Sequence, residues 1–220
     1  MLRRLVDRYL DPSESLLEIL FGLIMALTMT AGARLVTDPA TLNAGELIAA
    51  LAGCNVAWGF IDAVFYLVGS MFNRNRRLVL VRRLQATRDE GEAIALIQDE
   101  FGLQREPRMR DEDRAVFYRS MLEMLRHADT RRASLTAGEF AAAAIIFVLV
   151  SLTAVPGLIP LAVMSDVGMA LRLANGLQVV LLFYVGYKWS HYSGSNPWRG
   201  AAMIGVMGIV LVLVSVALGG

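Results

Sequence analysis

The sequence predicts an all-α polytopic membrane protein with five transmembrane helices and a small cytoplasmic helical insert between helices two and three. The composition indicates this class, because 56% of the 220 residues are hydrophobic and the mean hydropathy is +0.52. Ordinary soluble domains of this size are less apolar. The charged residues concentrate before residue 15 and between residues 74 and 139. The remaining stretches are nearly free of charge and are candidates for crossing a bilayer.

Five stretches are long and apolar enough to span a membrane, which requires about 20 residues of helix. They are Leu16–Val36, Leu47–Phe72, Gly138–Leu161, Met169–Tyr187 and Trp198–Leu218. Asp11, Pro12 and Ser13 precede the first stretch and are typical of a helix N-terminus. Pro156 and Pro160 lie inside the third stretch and predict that its helix bends or ends there.

Basic residues predict the orientation of these helices, because cytoplasmic loops are enriched in lysine and arginine. They cluster in the N-terminal segment, in segment 74–132 and around Lys188, whereas the loops 37–46 and 165–168 contain none. We therefore expect the N-terminus and the insert in the cytoplasm and the C-terminus outside. The N-terminus does not have the pattern of a cleavable signal peptide, and the arrangement is typical of a bacterial inner membrane.

One acid, Asp62, lies deep inside the second span, where a carboxylate costs about 2.5–3.5 kcal/mol on insertion scales. Such residues usually serve an ion, a proton or a buried partner, so we expect Asp62 on a polar path through the membrane. Asn55 lies two helical turns earlier on the same face. Asn175 in the fourth span needs a partner, for which Asn55 and Asp62 are candidates. The alternative is a structural Asp62, bonded to a neighbouring helix or to Arg172.

Two more acids, Glu14 and Glu18, lie one turn apart near the predicted cytoplasmic end of the first span. At the mouth of a path they would attract cations. Acids at the end of a span are also often only solvated, and the sequence leaves both interpretations open.

Several functions are not expected from this sequence. Cys54 is the only cysteine, which excludes an intrachain disulfide and a Cys-based zinc site, and it is interpreted as a small buried hydrophobe. No phosphate-binding glycine loop, GxSxG or HExxH motif occurs, so we expect neither catalysis nor a permanently bound cofactor. The net charge of +1 gives no indication of a nucleic-acid partner.

Residues 74–137 are predicted to form a cytoplasmic domain of three amphipathic helices, between membrane parts at 1–73 and 138–220. A core of that size is marginal alone and would gain from a second copy or the membrane. The predicted apolar faces are Leu78, Val81 and Leu84 in the first helix, Ala93, Ile94, Ile97 and Phe101 in the second, and Val116, Phe117, Met121, Met124 and Leu125 in the third.

The third helix of the insert also carries potential metal ligands. Glu123 and His127 are four residues apart, a spacing that places ligands on one face of a helix. Asp113, Met121 and Met124 lie on the same helix. The alternative is structural, because acids at a helix N-terminus stabilise its dipole and the two methionines fit a core.

Small residues four apart, as in Gly22 and Ala26 or Ala49 and Gly53, let helices approach closely. They indicate tight packing within one subunit or the interface of a homodimer.

The order of elements and several motifs resemble the vacuolar iron transporter family (the VIT1/CCC1-like proteins). Its glycine-bearing first helix is similar to EILFGLIMALTMTAG, its third to ASLT at 133–136 followed by GLIPL at 157–161, and its fifth to GAAMIGVMGIVLVLVSVALGG. The stretch GCNVAWGFIDAVFYLVG resembles a divergent bacterial branch of this family. The resemblance implies a homodimeric carrier that exports Fe²⁺ or Mn²⁺ from the cytoplasm in exchange for protons.

The resemblance also implies an acid in helix one, an acid and a methionine in helix two, and metal-binding glutamates and methionines in the insert. The chain departs from this pattern. Phe21 stands where an aspartate is expected before Gly22, and Glu18 lies one turn earlier. The acid of helix two is displaced to Asp62, and the insert lacks repeated ExxE pairs.

Two hypotheses follow. The first is a divalent-cation/proton antiporter with Asp62 and Glu18 on the path and Asn55 and Asn175 in support. A carboxylate with methionine and histidine nearby suits borderline divalent ions, and a buried aspartate could exchange a proton for a cation. The second is a non-transporting membrane scaffold, whose insert is an interaction module and whose Asp62 is a packing residue.

Overall fold

The computed structural model describes residues 9–36, 43–101, 110–130 and 134–218. No strand occurs among these residues. The helices are α1 Pro12–Val36, α2 Ala44–Ala86, α3 Glu90–Phe101, α4 Asp111–Arg126, α5 Ala137–Leu152, α6 Val155–Val163, α7 Val167–Tyr192 and α8 Pro197–Ala217. The predicted basic N-terminal segment (1–8), most of the first loop (37–42) and the side chain of Phe101 lie outside the described residues.

Five helical segments are long and apolar enough to cross a membrane, which confirms the predicted number and class. They are Pro12–Ala33, Ala44–Ala86, Ala137–Val163, Val167–Tyr192 and Pro197–Val214. The chain is therefore an integral membrane protein. The second segment is much longer than a bilayer requires, because the arginine-rich sequence after Phe72 continues the same helix.

The third span is interrupted, as its prolines predict. Its helix stops after Leu152 and resumes at Val155, with Pro156 in the first turn of α6. Proline has no amide hydrogen to donate to the carbonyl of Leu152, and its ring crowds that carbonyl. The Thr153 hydroxyl donates to the carbonyl of Val150 at 2.6 Å. The hydroxyls of Ser151 and Thr153 thus lie at the interruption of a largely apolar span.

The chain divides into two compact units, Met1–Leu67 with Thr136–Gly220 and Val68–Leu135. In the first, the membrane unit, leucines of α1 pack against α7 and α8. This core consists of Leu20, Leu23, Leu27, Leu182, Val185, Ile204 and Val212. A second cluster joins α1, α2, α6 and α7 through Ala26, Leu51, Leu161 and Leu171. The leucine-rich faces of the spans therefore form the interior of the unit.

The second unit, the insert, has a small core of Leu84, Ala93, Ile97, Tyr118 and Leu122. The faces predicted for its first two helices agree with this core. The face predicted for α4 was only partly right, because Met121 and Leu125 pack against the core but its other members are exposed. Val116 is 66% exposed and Met124 is 69% exposed. The buried stripe of α4 runs instead through Tyr118 and Leu122, four residues apart on one face. The ring of Tyr118 is apolar and lies in the core, where its neighbours Val116 and Phe117 were predicted to lie.

Candidate functional site in the membrane unit

A groove of about 470 Å³ lies between α1 and α2, with one wall from α5. It is lined by Phe21, Gly22, Ile24, Met25, Thr28, Met29, Trp58, Asp62 and Val150. Among these described residues Asp62 is the only ionisable one. The groove therefore presents one carboxylate in apolar surroundings.

Asp62 is partly buried, and it forms no hydrogen bond or ion pair with any residue that the structure describes. Arg172, the partner considered from the sequence, is exposed near the start of α7. Trp58 precedes Asp62 by one turn and also lines the groove, whereas Tyr66 packs against the cluster formed by α5 and Leu10. The Asp62 carboxylate thus has no protein partner within the described chain.

Two methionines of α1, Met25 and Met29, line the groove together with Asp62. The sequence reasoning did not single them out. The sequence did contain an indication of them. Residues four apart share a helix face, and Gly22 precedes Met25 and Met29 on that same side of α1. Their thioether sulfurs are soft ligands, so the groove combines a hard carboxylate with soft sulfur.

Glu18 brings a second carboxylate close to Asp62. It is partly buried, and its Oε2 atom has no hydrogen-bond partner among the described residues. The negative charges of Asp62 and Glu14 both act on its carboxylate. Glu18 does not line the groove but lies one turn before Phe21 and Gly22, which do. Glu14 is exposed one turn further toward the start of α1. The structure therefore brings Glu18 within electrostatic range of two other predicted path residues, Asp62 and Glu14.

Asn55 lies beside this groove as a fully buried cross-link between helices. Its Nδ2 group donates to the carbonyls of Gly22 (3.4 Å) and Val150 (3.2 Å) and to Thr153 Oγ1 (2.8 Å). Gly22 and Val150 line the groove, so Asn55 holds two of its walls together. Its Oδ1 atom is buried without a partner among the described residues.

Asn175 lies apart from Asp62 and Asn55. Its Oδ1 atom is buried without a hydrogen-bond partner among the described residues, so neither of the two expected partners reaches it. The sequence reasoning missed Gln178, one turn later on α7. Gln178 is fully buried and its Oε1 accepts a hydrogen bond from Thr30 Oγ1 at 3.1 Å. Gly157 provides the space, because a Cβ atom there would lie 2.6 Å from Gln178 Nε2.

In the insert, the predicted ligands do not converge. Helix α4 ends at Arg126, so His127 follows the helix as its C-cap. The Glu123 carboxylate approaches Arg126 at 3.8 Å. Asp113 and Met124 are exposed, and Met121 packs against the core. Within the described ranges, no group of three His, Cys, Asp or Glu side chains is placed to hold a metal ion. Cation binding by the insert stays a prediction.

Comparison with known protein families gives a match to part of the chain. Residues 73–220 match the model of the VIT family. The match covers about two thirds of the chain, from within α2 to the C-terminus. Glu18 and Asp62 precede the matched residues. None of the curated proteins compared with the chain matches it.

Proposed function

The chain belongs to the VIT family, and on this basis we propose that it exports Fe²⁺ or Mn²⁺ from the cytoplasm in exchange for protons. Membership of this family indicates membrane transport of a metal ion and gives no indication of an enzyme. The observation that carries the finer proposal is the Asp62 carboxylate, which lines the α1–α2 groove beside two methionines and has no protein partner among the described residues.

The groove supports a borderline divalent cation because of its donor atoms. Carboxylate oxygens suit Mn²⁺ and other hard ions, while thioether sulfurs favour softer ones. Asp62 with Met25 and Met29 offers both kinds of ligand in one apolar groove. The proposal therefore places the metal on Asp62, with the two sulfurs favouring Fe²⁺ over harder cations.

The acids of α1 support a route by which cations approach the Asp62 carboxylate. Glu14 is exposed, Glu18 is partly buried, and both carboxyl groups lie on the side of α1 that leads to Phe21 and Gly22. A graded set of carboxylates raises the local concentration of cations through its electrostatic field. We assign Glu14 and Glu18 to this approach, and Asn55 to the support of the groove walls. We assign Asn175, which lies one turn before Gln178 on α7, a supporting role in the transport path.

Proton exchange follows from the competition between a proton and a metal for the same carboxylate. Apolar surroundings favour the neutral carboxylic acid, whereas a nearby cation favours the ionised form. Release of the metal from Asp62 would thus be accompanied by uptake of a proton. The reverse exchange would reload the site.

Assembly and orientation complete the proposal. From the positive-inside pattern of its basic residues we propose that the N-terminus lies in the cytoplasm and the C-terminus outside, and that the membrane is a bacterial inner membrane. Helix α2 exposes several large hydrophobic side chains, among them Phe60, Phe65 and Phe72. Around a single copy, lipid would cover such a surface. In the homodimer that we propose, a second copy would cover it instead.

The experiment is Fe²⁺ and Mn²⁺ flux into proteoliposomes under an imposed pH gradient, with wild type beside Asp62→Asn. Glu46→Gln is the matched control, because Glu46 is an exposed acid at the start of the same helix. We expect gradient-dependent flux in the wild type and the control and its loss in Asp62→Asn. Flux that persists in folded Asp62→Asn protein would remove Asp62 from the path.

A second candidate function is a membrane scaffold whose insert binds a protein partner. The observation in its favour is the exposure of the apolar residues Val116 and Met124 on α4. This hypothesis predicts that folded wild-type protein moves neither ion, and that Asp62→Asn changes only stability. The same flux experiment therefore distinguishes the two functions.

A further inference from the structure

A second groove, of about 510 Å³, lies on the surface of the hairpin formed by α7 and α8. It is lined by Phe183, Tyr184, Tyr187, Trp198, Ala201 and Ala202. The rings of Tyr187 and Trp198 pack edge to face at 5.4 Å between centroids. Trp198 is 76% exposed and Tyr184 is 56% exposed. We call this surface the aromatic groove.

The two helices that frame the aromatic groove are in direct backbone contact. A Cβ atom on Gly186 would lie 2.7 Å from the carbonyl oxygen of Gly200. A Cβ atom on Gly205 would lie 2.8 Å from the ring of Phe183. Because α7 and α8 already touch, they cannot move closer and close the groove. Its shape is therefore set by the aromatic rings on either side of two alanines.

Positive charge lies at one end of this apolar surface. Lys188 Nζ lies 5.6 Å from the centroid of the Tyr184 ring, within the range of a cation–π contact. Arg199 follows Trp198 in α8 and is exposed. The sequence contains no Asp or Glu after Asp166. Among the described residues, no acid forms an ion pair with Lys188 or Arg199. Two cations that have no acidic partner among the described residues thus lie at one end of the groove.

We propose that the aromatic groove binds an anionic glycerophospholipid, with one acyl chain against the rings and the phosphate on Lys188 and Arg199. The groove lies where α7 ends and α8 begins, so it meets the membrane interface, where aromatic residues concentrate. Basic pockets between membrane helices bind anionic headgroups. A free phosphate ion would contact the cations but would leave the aromatic groove unused. Charge and apolar shape together therefore favour a whole lipid.

The test is native mass spectrometry of the purified protein with dioleoyl phosphatidylglycerol and dioleoyl phosphatidylcholine, which share their acyl chains. A Lys or Arg near the surface contributes roughly a fivefold preference for anionic lipid. We expect the wild type to retain the anionic lipid preferentially and Lys188→Gln/Arg199→Gln protein to lose that preference. Arg172→Gln is the matched control, because Arg172 is an exposed base at the other end of α7.

A second variant tests the groove without changing charge. Ala202 is exposed, so Ala202→Phe can fill the groove without disturbing the core. We expect it to lower retention of both lipids. The proposal would be overturned if the wild type retained the two lipids equally, or if Lys188→Gln/Arg199→Gln protein kept its preference. The aromatic residues would then form only an interfacial belt. Displacement of the anionic lipid by equimolar glycerol phosphate would overturn it as well, because the headgroup would then be sufficient.

Discussion

The Nδ2 group of Asn55 donates a hydrogen bond of 2.8 Å to the hydroxyl of Thr153, at the point where the third span is interrupted. The same nitrogen donates to carbonyls of α1 and α5, so one buried amide joins three segments. In a membrane, hydrogen bonds and close packing hold helices together, because lipid is as apolar as the side chains. The packing around the interruption and the walls of the adjacent groove therefore depend on this amide.

We predict that Asn55→Leu and Thr153→Val each destabilise the membrane unit and are coupled. Interhelical hydrogen bonds of membrane proteins average about 0.6 kcal/mol and reach about 1.7 kcal/mol. We expect a coupling energy at the upper end of that range, because Asn55 is fully buried. A double-mutant cycle, with unfolding followed in mixed micelles, measures it. Additive effects of the two substitutions would show that the hydrogen bond contributes nothing.

Gly22→Ala is predicted to destabilise the protein, because a Cβ atom at Gly22 would overlap Thr153 Oγ1. Overpacking of this kind costs about 1–3 kcal/mol. Thr153→Ala in the same protein should recover part of the loss, since it removes the overlapping oxygen. Gly53→Ala is the control in α2, where the added carbon would meet no side chain or neighbouring helix within 4 Å among the described residues. If Gly22→Ala and Gly53→Ala changed the melting temperature equally, this result would contradict the close approach of α1 to Thr153.

Met25→Leu/Met29→Leu is predicted to weaken transport of Fe²⁺ more than that of Mn²⁺. The substitution removes two soft sulfur ligands but keeps volume and hydrophobicity, so stability should change by less than about 1.5 kcal/mol per site. We expect the KM for Fe²⁺ to rise at least several-fold while the KM for Mn²⁺ changes little. Met207→Leu is the control, because Met207 is partly exposed in α8 and distant in sequence from the groove. Equal changes for both ions would show that the sulfurs do not contact the metal.

Gln178→Met is predicted to leave the melting temperature unchanged or higher. The Gln178 Nε2 atom is buried without a partner among the described residues, and replacing such a group by an apolar one of similar shape is nearly neutral or stabilising. The single proton of the Thr30 hydroxyl can still be donated to the carbonyl of Ala26 or of Leu27. Thermal unfolding of the detergent-solubilised protein tests this. A large loss of stability would show that the Thr30–Gln178 bond holds α1 to α7.

Gly157→Ala provides the comparison for that experiment. A Cβ atom at Gly157 would lie 2.6 Å from Gln178 Nε2 and 3.0 Å from a methyl of Leu51, so we expect a lower melting temperature in the wild-type background. Because a methionine side chain is more flexible, Gln178→Met should reduce this loss. An equal loss in both backgrounds would place the clash at Leu51 instead.

The sequence alone determined the class of the protein, the number of spans and the interruption of the third one. These properties depend on length, hydropathy and proline chemistry, which are local. Asp62 was found in the same way, because a carboxylate inside an apolar run is visible without any partner. The apolar faces of the first two insert helices were also predictable from spacing, although the structure turned the face of α4 toward Tyr118 and Leu122.

Only the tertiary structure decided which polar groups meet. Asn55 bonds to Thr153 and to the Gly22 and Val150 carbonyls, while Gln178 bonds to Thr30 across 148 positions of sequence. The sequence could not indicate these pairs, because a helical pattern gives the direction of a side chain relative to its own axis only. Which helix lies opposite is set by the packing of all the spans. That packing also decided that Met25 and Met29 share one groove with Asp62.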